Sequence, residues 1–298
     1  MEYRQFGHSG LNVSLLGLGA GQIGDARLSE SDVAHLLHFA VDQGITLLDT
    51  ARGYGLSEER IGRHLANKRH QLVLSTKLGY DMPDHADWSA GCITAGVEAA
   101  LQRLQTDYLD IVHLHSCSLE VLQRGEVITA LQAAQQAGKV RVIAYSGENA
   151  ELRWAVHSGL FGSVEHSLNL CDQRVIDDPL PQAQAAGLGV IAKRPIGNAP
   201  WRFASCPVGE YAEEYWWRWH TMSQREPELL PAGMDWQTLA LRFSAYTPGV
   251  SSIIVGTINP SHLRHNLQQL SAPLPPDVYQ RLRDAFTRHD PGWWYGQV

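Results

Sequence analysis

The chain has 298 residues, 44% of them hydrophobic, and a formal net charge of −7. That length suits one large barrel or two ordinary domains, and the apolar content excludes global disorder. An acidic balance with no basic run excludes nucleic acid as the main partner, and no apolar stretch approaches the ~20 residues needed to cross a bilayer.

Residues 1–14 read as a short hairpin, YRQF and LNVS around the turn HSG. LLGLGAGQIG follows as a strand running into a glycine-rich loop. From there a unit repeats, in which an amphipathic helix closes at a glycine and an apolar strand begins almost at once. The first helix, starting near Ser31, carries Val33, Leu36, Leu37, Ala40 and Val41, closes at Gly44 and leads into the strand Ile45–Leu48, which ends in Asp49. LVLSTK (72–77) and IVHLH (111–115) are the next strands, with a helix bearing Ile93, Val97, Leu101 and Leu104 between them. Helices closing at Gly138, Gly159 and Gly187 lead into VRVIAYS, GSVEHSL and LGVIAK. One more, with Trp236, Leu239 and Phe243, leads into SSIIVGT, and the series ends with Leu263, Leu267 and Leu270 on one face.

About eight strand–helix units with short strands rich in Val, Ile and Leu predict parallel strands buried on both faces. The predicted fold is α/β, a (β/α)8 TIM barrel with an N-terminal β-hairpin, forming a single domain over residues 1–298. Two segments stand outside the repeat. Residues 197–233, a long loop after the seventh strand with Tyr211, Tyr215, Trp216, Trp217 and Trp219, can serve as a lid. Residues 277–298 form an extra C-terminal helix, over about Asp277 to Arg288, and the aromatic tail GWWYGQV. The 201–222 aromatics, Ile23 and Trp88 are candidate pocket walls.

In such barrels the working groups stand at the C-terminal ends of the strands. Those positions hold Gly19–Gly21, Asp49, Lys77, His115, Ser146, Glu165 with Asn169, Lys193 with Arg194, and Gly256–Thr257. A carboxylate at a buried strand tip needs a partner, and Lys77 ends the neighbouring strand. Tyr54 follows Asp49 on a glycine-bearing loop. A phenol loses its proton only near pH ~10, and a nearby ammonium is expected to lower that value. Tyr54 tuned by Lys77, with Asp49 holding the lysine and His115 orienting an oxygen, suits general-acid chemistry on a carbonyl. No activated serine or cysteine points to acyl transfer. The cysteines, Cys92, Cys117, Cys171 and Cys206, show no metal-ligand spacing and read as free thiols, so no metal is expected. The N-terminus, MEYRQFGHSG, lacks the apolar stretch of a signal peptide, and a cytoplasmic location is expected.

At DTARGYG with EERIG, at LSTK and at DYLDIVHLH the sequence resembles the aldo-keto reductases, and the likeness runs over essentially the whole chain. The resemblance implies a catalytic tetrad of Asp49, Tyr54, Lys77 and His115, with Tyr54 as general acid or base. His115 rather than His113 fits the family's spacing from Asp110. It implies hydride transfer between a nicotinamide cofactor, NADP(H) before NAD(H), and a small carbonyl or alcohol substrate, such as an aldehyde, ketone or sugar. Ser146 stands where the family's serine meets the carboxamide, Glu165 where a glutamine is usual, and Lys193 or Arg194 where many members stack an aromatic. VGTINPSHLRHN resembles the adenosine-phosphate segment, which puts Gly256, Thr257, His262 and Asn266 at contact positions. Two of the family's 2′-phosphate cations are Gly256 and His262 here, so Arg264, Lys193 and Arg194 are left to favour NADP(H). Two other functions compete: an NAD(P)-dependent sugar dehydrogenase working mainly in oxidation, and a non-catalytic cofactor-binding regulatory subunit. The sequence assigns no oligomeric state.

Singly, each of these residues also has a structural reading. Asp49 and Lys77 can be a plain ion pair, and either histidine an interior hydrogen-bonded one. GAGQIG (19–24) matches G-x-G-x-x-G, but the polar GDARLSESD delays the next helix, so a loop approaching ligand is expected rather than a dinucleotide fingerprint. Glu58 and Glu59 are expected in the first turn of a helix.

Overall fold

The computed structural model describes residues 1–297. Strands β1 (Tyr3–Gln5) and β2 (Asn12–Ser14) pair antiparallel as the expected hairpin. Eight further strands close a parallel barrel: β3 (Leu16–Gly19), β4 (Leu47–Asp49), β5 (Val73–Leu78), β6 (Leu109–His115), β7 (Val140–Ser146), β8 (Ser163–Ser167), β9 (Gly189–Lys193) and β10 (Ser252–Gly256). They neighbour one another in chain order, and β10 pairs β3, with Gly256 opposite Gly19, to complete the ring.

The intervening helices are α1 (Glu30–Asp42), α2 (Ser57–Leu65), α3 (Ala90–Leu104), α4 (Leu119–Arg124), α5 (Glu126–Gln136), α6 (Asn149–Ser158), α7 (Leu180–Ala185), α8 (Glu213–Arg225), α9 (Trp236–Tyr246), α10 (Pro260–Gln269) and α11 (Pro276–His289). Several begin at side-chain caps: Ser29, Ser89 and Asp235 accept from the backbone N–H three residues on, at 3.1, 3.1 and 2.7 Å. The extra C-terminal helix spans one residue more at each end than the sequence suggests. Two helices were not foreseen. α4 is short, and α8 lies inside the segment read as loop, burying Tyr215, Trp216, Arg218 and Met222. No helix among the described residues is long and apolar enough to cross a membrane.

Strand alternation divides the core in two. One face of each strand packs outward on the helices through residues such as Leu18, Leu48, Leu74, Val112, Ile143, Val190 and Val255. The inward face begins with Leu47, Val73, Ile111, Val142, Ala144, Ile191 and Ile254, which cluster with Phe6, Leu11 and Val13 of the hairpin. The hairpin therefore closes the N-terminal floor of the barrel with apolar side chains. A period of two then dictates which residues stand above that layer. They are Asp49, Ser75, Lys77, His113, His115, Ser146 and Glu165, so on β4 to β8 the interior passes from hydrocarbon to polar or charged groups within a few residues.

The Gly19–Gly24 loop turns through a short 3-10 segment, Gln22–Gly24, and α1 opens only at Glu30. Its role is to carry the loop that follows β4. Leu56 N–H donates to the Gly24 carbonyl at 3.0 Å, and a Cβ at Gly24 would lie 1.7 Å from the carbonyl oxygen of Tyr54. Only glycine allows these two backbones to touch. Gly24→Ala is expected to cost about 1–3 kcal/mol through overpacking, read as a lower midpoint in urea unfolding.

Candidate active site

The C-terminal rim of the barrel surrounds a cavity of about 930 Å³. Asp49, Tyr54 and His115 line it, and so do Ser146, Glu165, Lys193, Arg194 and Gly256. Lys77 sits beneath, 1% exposed, with its ammonium hydrogen-bonded to Asp49 Oδ2 and to the Thr50 carbonyl, the latter at 3.1 Å. The same Nζ lies 3.5 Å from Glu165 Oε2 and 5.3 Å from the centre of the Tyr54 ring. Backbone bonds from Thr50 to Ser75 at 2.8 Å and from Arg52 to Lys77 at 3.1 Å extend the β4–β5 pairing into the loop and aim Tyr54 back over its neighbours.

Asp49 accepts from Ser75 Oγ at 2.8 Å, and the ring of His113 reaches the same hydroxyl at 3.1 Å. His113 is fully buried, whereas His115, two residues on, is half-buried at the cavity wall with its ring centre 6.1 Å from that of Tyr54. His115 is thus the histidine that the cavity shares with Tyr54. Its Nδ1 is 2.7 Å from the hydroxyl of Tyr80, a partner that sequence reasoning missed. Tyr80 lies three residues beyond Lys77, and that proximity was the only available signal.

Burial is the largest influence on Asp49 and, with Glu165 beside it, raises its pKa in spite of Lys77. For Lys77 burial acts downward, but Asp49 and Glu165 outweigh it and its pKa rises, so the ammonium holds its charge. The phenol departs from expectation. Lys77 is the largest single influence on Tyr54 and pulls its pKa down, yet burial, Asp49 and Glu165 together win, and the net shift is upward. The sequence shows the nearby ammonium but not that two carboxylates share it. His115 is pushed down to about 3, first by burial and then by the charge of Lys77, so it is a neutral imidazole at pH 7.

Asp49, His113 and Glu165 place possible ligand atoms within 4.8 Å of one another. The Lys77 ammonium, in contact with both carboxylates, already supplies a cation there.

The cofactor candidates divide. Ser146 Oγ donates to Glu165 Oε1 at 3.3 Å, and both residues are 1% exposed. Lys193 pairs with Glu148 at 3.0 Å. Arg194 donates to Ser167 Oγ at 3.1 Å and to the Gln297 carbonyl, which ties the C-terminal tail to the rim. The tail's last residue, Val298, lies outside the described residues. Thr257 caps the turn into α10, accepting from Asn259 N–H at 3.0 Å. Asn266 is buried and accepts from Gln237 at 2.6 Å, and His262 is exposed on the first turn of α10. None of these last three lines the cavity. Arg264 is exposed on α10 with its guanidinium over the Phe39 ring, 5.0 Å from its centre. Ile23 faces a separate small groove with Val33 and Leu36, and Trp88 packs on Tyr80. From the long segment after β9, Arg202 and the 85%-exposed Tyr211 reach the cavity.

The family model described as "Aldo/keto reductase family" matches residues 15–215 and 217–286. Among similar proteins is L-galactose dehydrogenase of Arabidopsis thaliana, 30% identical over 292 residues, 90% of this chain and 87% of the relative. Another is 6-dehydroglucose reductase of Novosphingobium aromaticivorans, 30% identical over 211 residues, 66% of this chain and 69% of that protein. Among solved structures, an aldo-keto reductase from Bacillus halodurans in its holo form superposes with a TM-score of 0.82 at 26% identity, covering 96% of each chain.

The neutral imidazole carries a linkage. His115 drops from an ordinary 6.5 to about 3, so between those values the unfolded chain binds a proton that the native site refuses. Stability is therefore lost as pH falls below 6.5, by up to about 1.4 kcal/mol per pH unit for one such group. His115→Gln is expected to remove about one proton's worth of that acid slope, measured by urea unfolding between pH 6.5 and 5; an unchanged slope would show that His115 does not carry it.

Proposed function

The chain belongs to the aldo/keto reductase family and is an oxidoreductase acting on carbonyl and alcohol groups; on that premise we propose that Tyr54, Lys77, Asp49 and His115 carry the reaction. The observation behind this reading is their convergence on one barrel mouth, with Tyr54 and His115 facing a common cavity and Lys77 locked beneath by Asp49. A plain structural ion pair would need neither the half-buried phenol nor the imidazole above it.

The residues present fit a nicotinamide dinucleotide. Glu165 Oε2 is buried without a hydrogen-bond partner beside Ser146 at the cavity floor, and Gly19, Gly21 and Gly256 leave bare backbone along its wall. When bound, the nicotinamide gives or takes the hydride. Tyr54 gives its proton to the carbonyl oxygen in reduction and takes the alcohol proton in oxidation. Lys77 is the main force stabilising the phenolate that remains. Asp49 fixes the ammonium and keeps it charged. His115, neutral and held at Nδ1 by Tyr80, turns its other ring nitrogen to the substrate oxygen and orients it. An intact set of these groups speaks for turnover rather than for a regulatory subunit.

On the nucleotide side, His262 is the one ionisable side chain in the first turn of α10, and Arg264 is engaged with Phe39. Arg264 stays exposed there, and Arg194 and Arg202 line the cavity, which supports NADP(H) before NAD(H). A polyhydroxylated substrate suits the cavity wall, where Gln22, Asp25, Ser116, Asn198 and Arg202 offer polar groups. Relatives named for galactose and dehydroglucose support a sugar carbonyl or alcohol.

Tyr54→Phe is expected to lower turnover by about 10²- to 10⁴-fold, the usual worth of a general acid or base, while dinucleotide binding survives. The assay follows nicotinamide absorbance with aldoses and simple aldehydes, and binding follows quenching of tryptophan fluorescence. Full activity in the variant would rule out this role for the phenol.

A further inference from the structure

We propose that the carboxylate of Glu165 biases this site toward the oxidised form of its nicotinamide cofactor, by setting an anion that shares its one counter-ion with Asp49 against a ring that is cationic when oxidised and neutral when reduced. The inference rests on the oxidoreductase reading above and adds a preference that the reading does not contain.

Three observations carry it. The buried charges at the cavity floor do not balance: Asp49 and Glu165 share the single ammonium of Lys77, hydrogen-bonded to the first and 3.5 Å from the second. Of the other cations that line the cavity, Lys193 is paired with Glu148 at 3.0 Å, Arg194 is turned onto the Ser167 hydroxyl and the Gln297 carbonyl, and Arg202 stands on the segment after β9. Second, Glu165 is 1% exposed and lines the cavity, yet its Oε2 has no hydrogen-bond partner, while Oε1 accepts from Ser146 at 3.3 Å. A buried carboxylate oxygen that accepts no hydrogen bond, and has only a shared ammonium at 3.5 Å, gains from a further partner in the cavity. Third, hydride and proton must reach the same carbonyl group, so the reactive ring has to lie at the mouth beside Tyr54. Glu165 ends up on that rim because β8 pairs β7 there, Glu165 opposite Ser146.

A glutamine at this position would fill the same volume and leave the floor neutral. A glutamate leaves one negative charge in a buried position, where electrostatic effects are stronger than in bulk water. The oxidised ring then gains an attraction that the reduced ring lacks, and bound cofactor is held preferentially in the hydride-accepting form. That is the form needed to oxidise an alcohol.

The test titrates NAD+, NADH, NADP+ and NADPH into the wild-type protein and into Glu165→Gln and Glu165→Asp, following quenching of tryptophan fluorescence, with thermal melting as a check on folding. For the pair of dinucleotides bound more tightly, the wild-type protein is expected to favour the oxidised member. Glu165→Gln should weaken the oxidised form about tenfold and the reduced form less than about threefold, while Glu165→Asp keeps most of the preference. A folded Glu165→Gln protein whose ratio moves less than about threefold overturns the proposal. So does a wild-type protein that favours the reduced member, which keeps the test decisive even where a variant fails to fold. Binding of none of the four dinucleotides would strike at the oxidoreductase reading itself; binding without an oxidised preference would strike only at this inference.

Discussion

One ammonium group holds the charged end of this barrel together. Lys77 Nζ stands between Asp49 and Glu165, with His113 closing the ring of buried polar groups below the cavity. Without it, two carboxylates would face each other in the interior with no counter-ion, an arrangement that proteins rarely tolerate. With it, the strand ends of β4, β5 and β8 are bound to a common centre, and the loop bearing Tyr54 is aimed by backbone bonds to the same strands. The upward shift of the phenol pKa follows from burial, joined by the two carboxylates, against the pull of that one ammonium.

Much of this was legible in the sequence, for a simple reason. A strand buried on both faces has only two directions for its side chains, so a charged residue at its end must point into the barrel or out toward the helices. Asp49, Lys77 and His115 could be placed by alternation, and the glycine-closed helices set the repeat that brings them together. The floor was less visible: Phe6 and Val13 join the barrel core through a hairpin whose docking no local pattern declares. α8 was hidden because its buried set, Tyr215, Trp216, Arg218 and Met222, mixes a guanidinium into the apolar stripe. Arg218 is buried against the Cys171 and Tyr295 carbonyls, a partnership that joins distant parts of the chain. The turn of Arg264 onto Phe39 was equally beyond reach, since it depends on how α10 rolls against α1.

The rim shows how one scaffold separates two duties. Below the cavity, residues from regular strands hold fixed positions with almost no exposure. Above it, Arg202 and Tyr211 come from the long segment after β9, and Gln297 from the tail meets Arg194. Asp49, Lys77, His113 and Glu165 are thus carried by barrel strands, while Tyr54, Arg202 and Tyr211 stand on connections. All four cysteines are free, three of them buried, so no cross-link braces these connections.

The hairpin plug gives the barrel a closed bottom. With Phe6, Leu11 and Val13 seated among the lowest inward side chains, nothing can thread through from beneath. Two molecules that must react with each other have to come and go by the same doorway. A ligand entering or leaving therefore passes the loops that carry Tyr54, Arg202 and Tyr211.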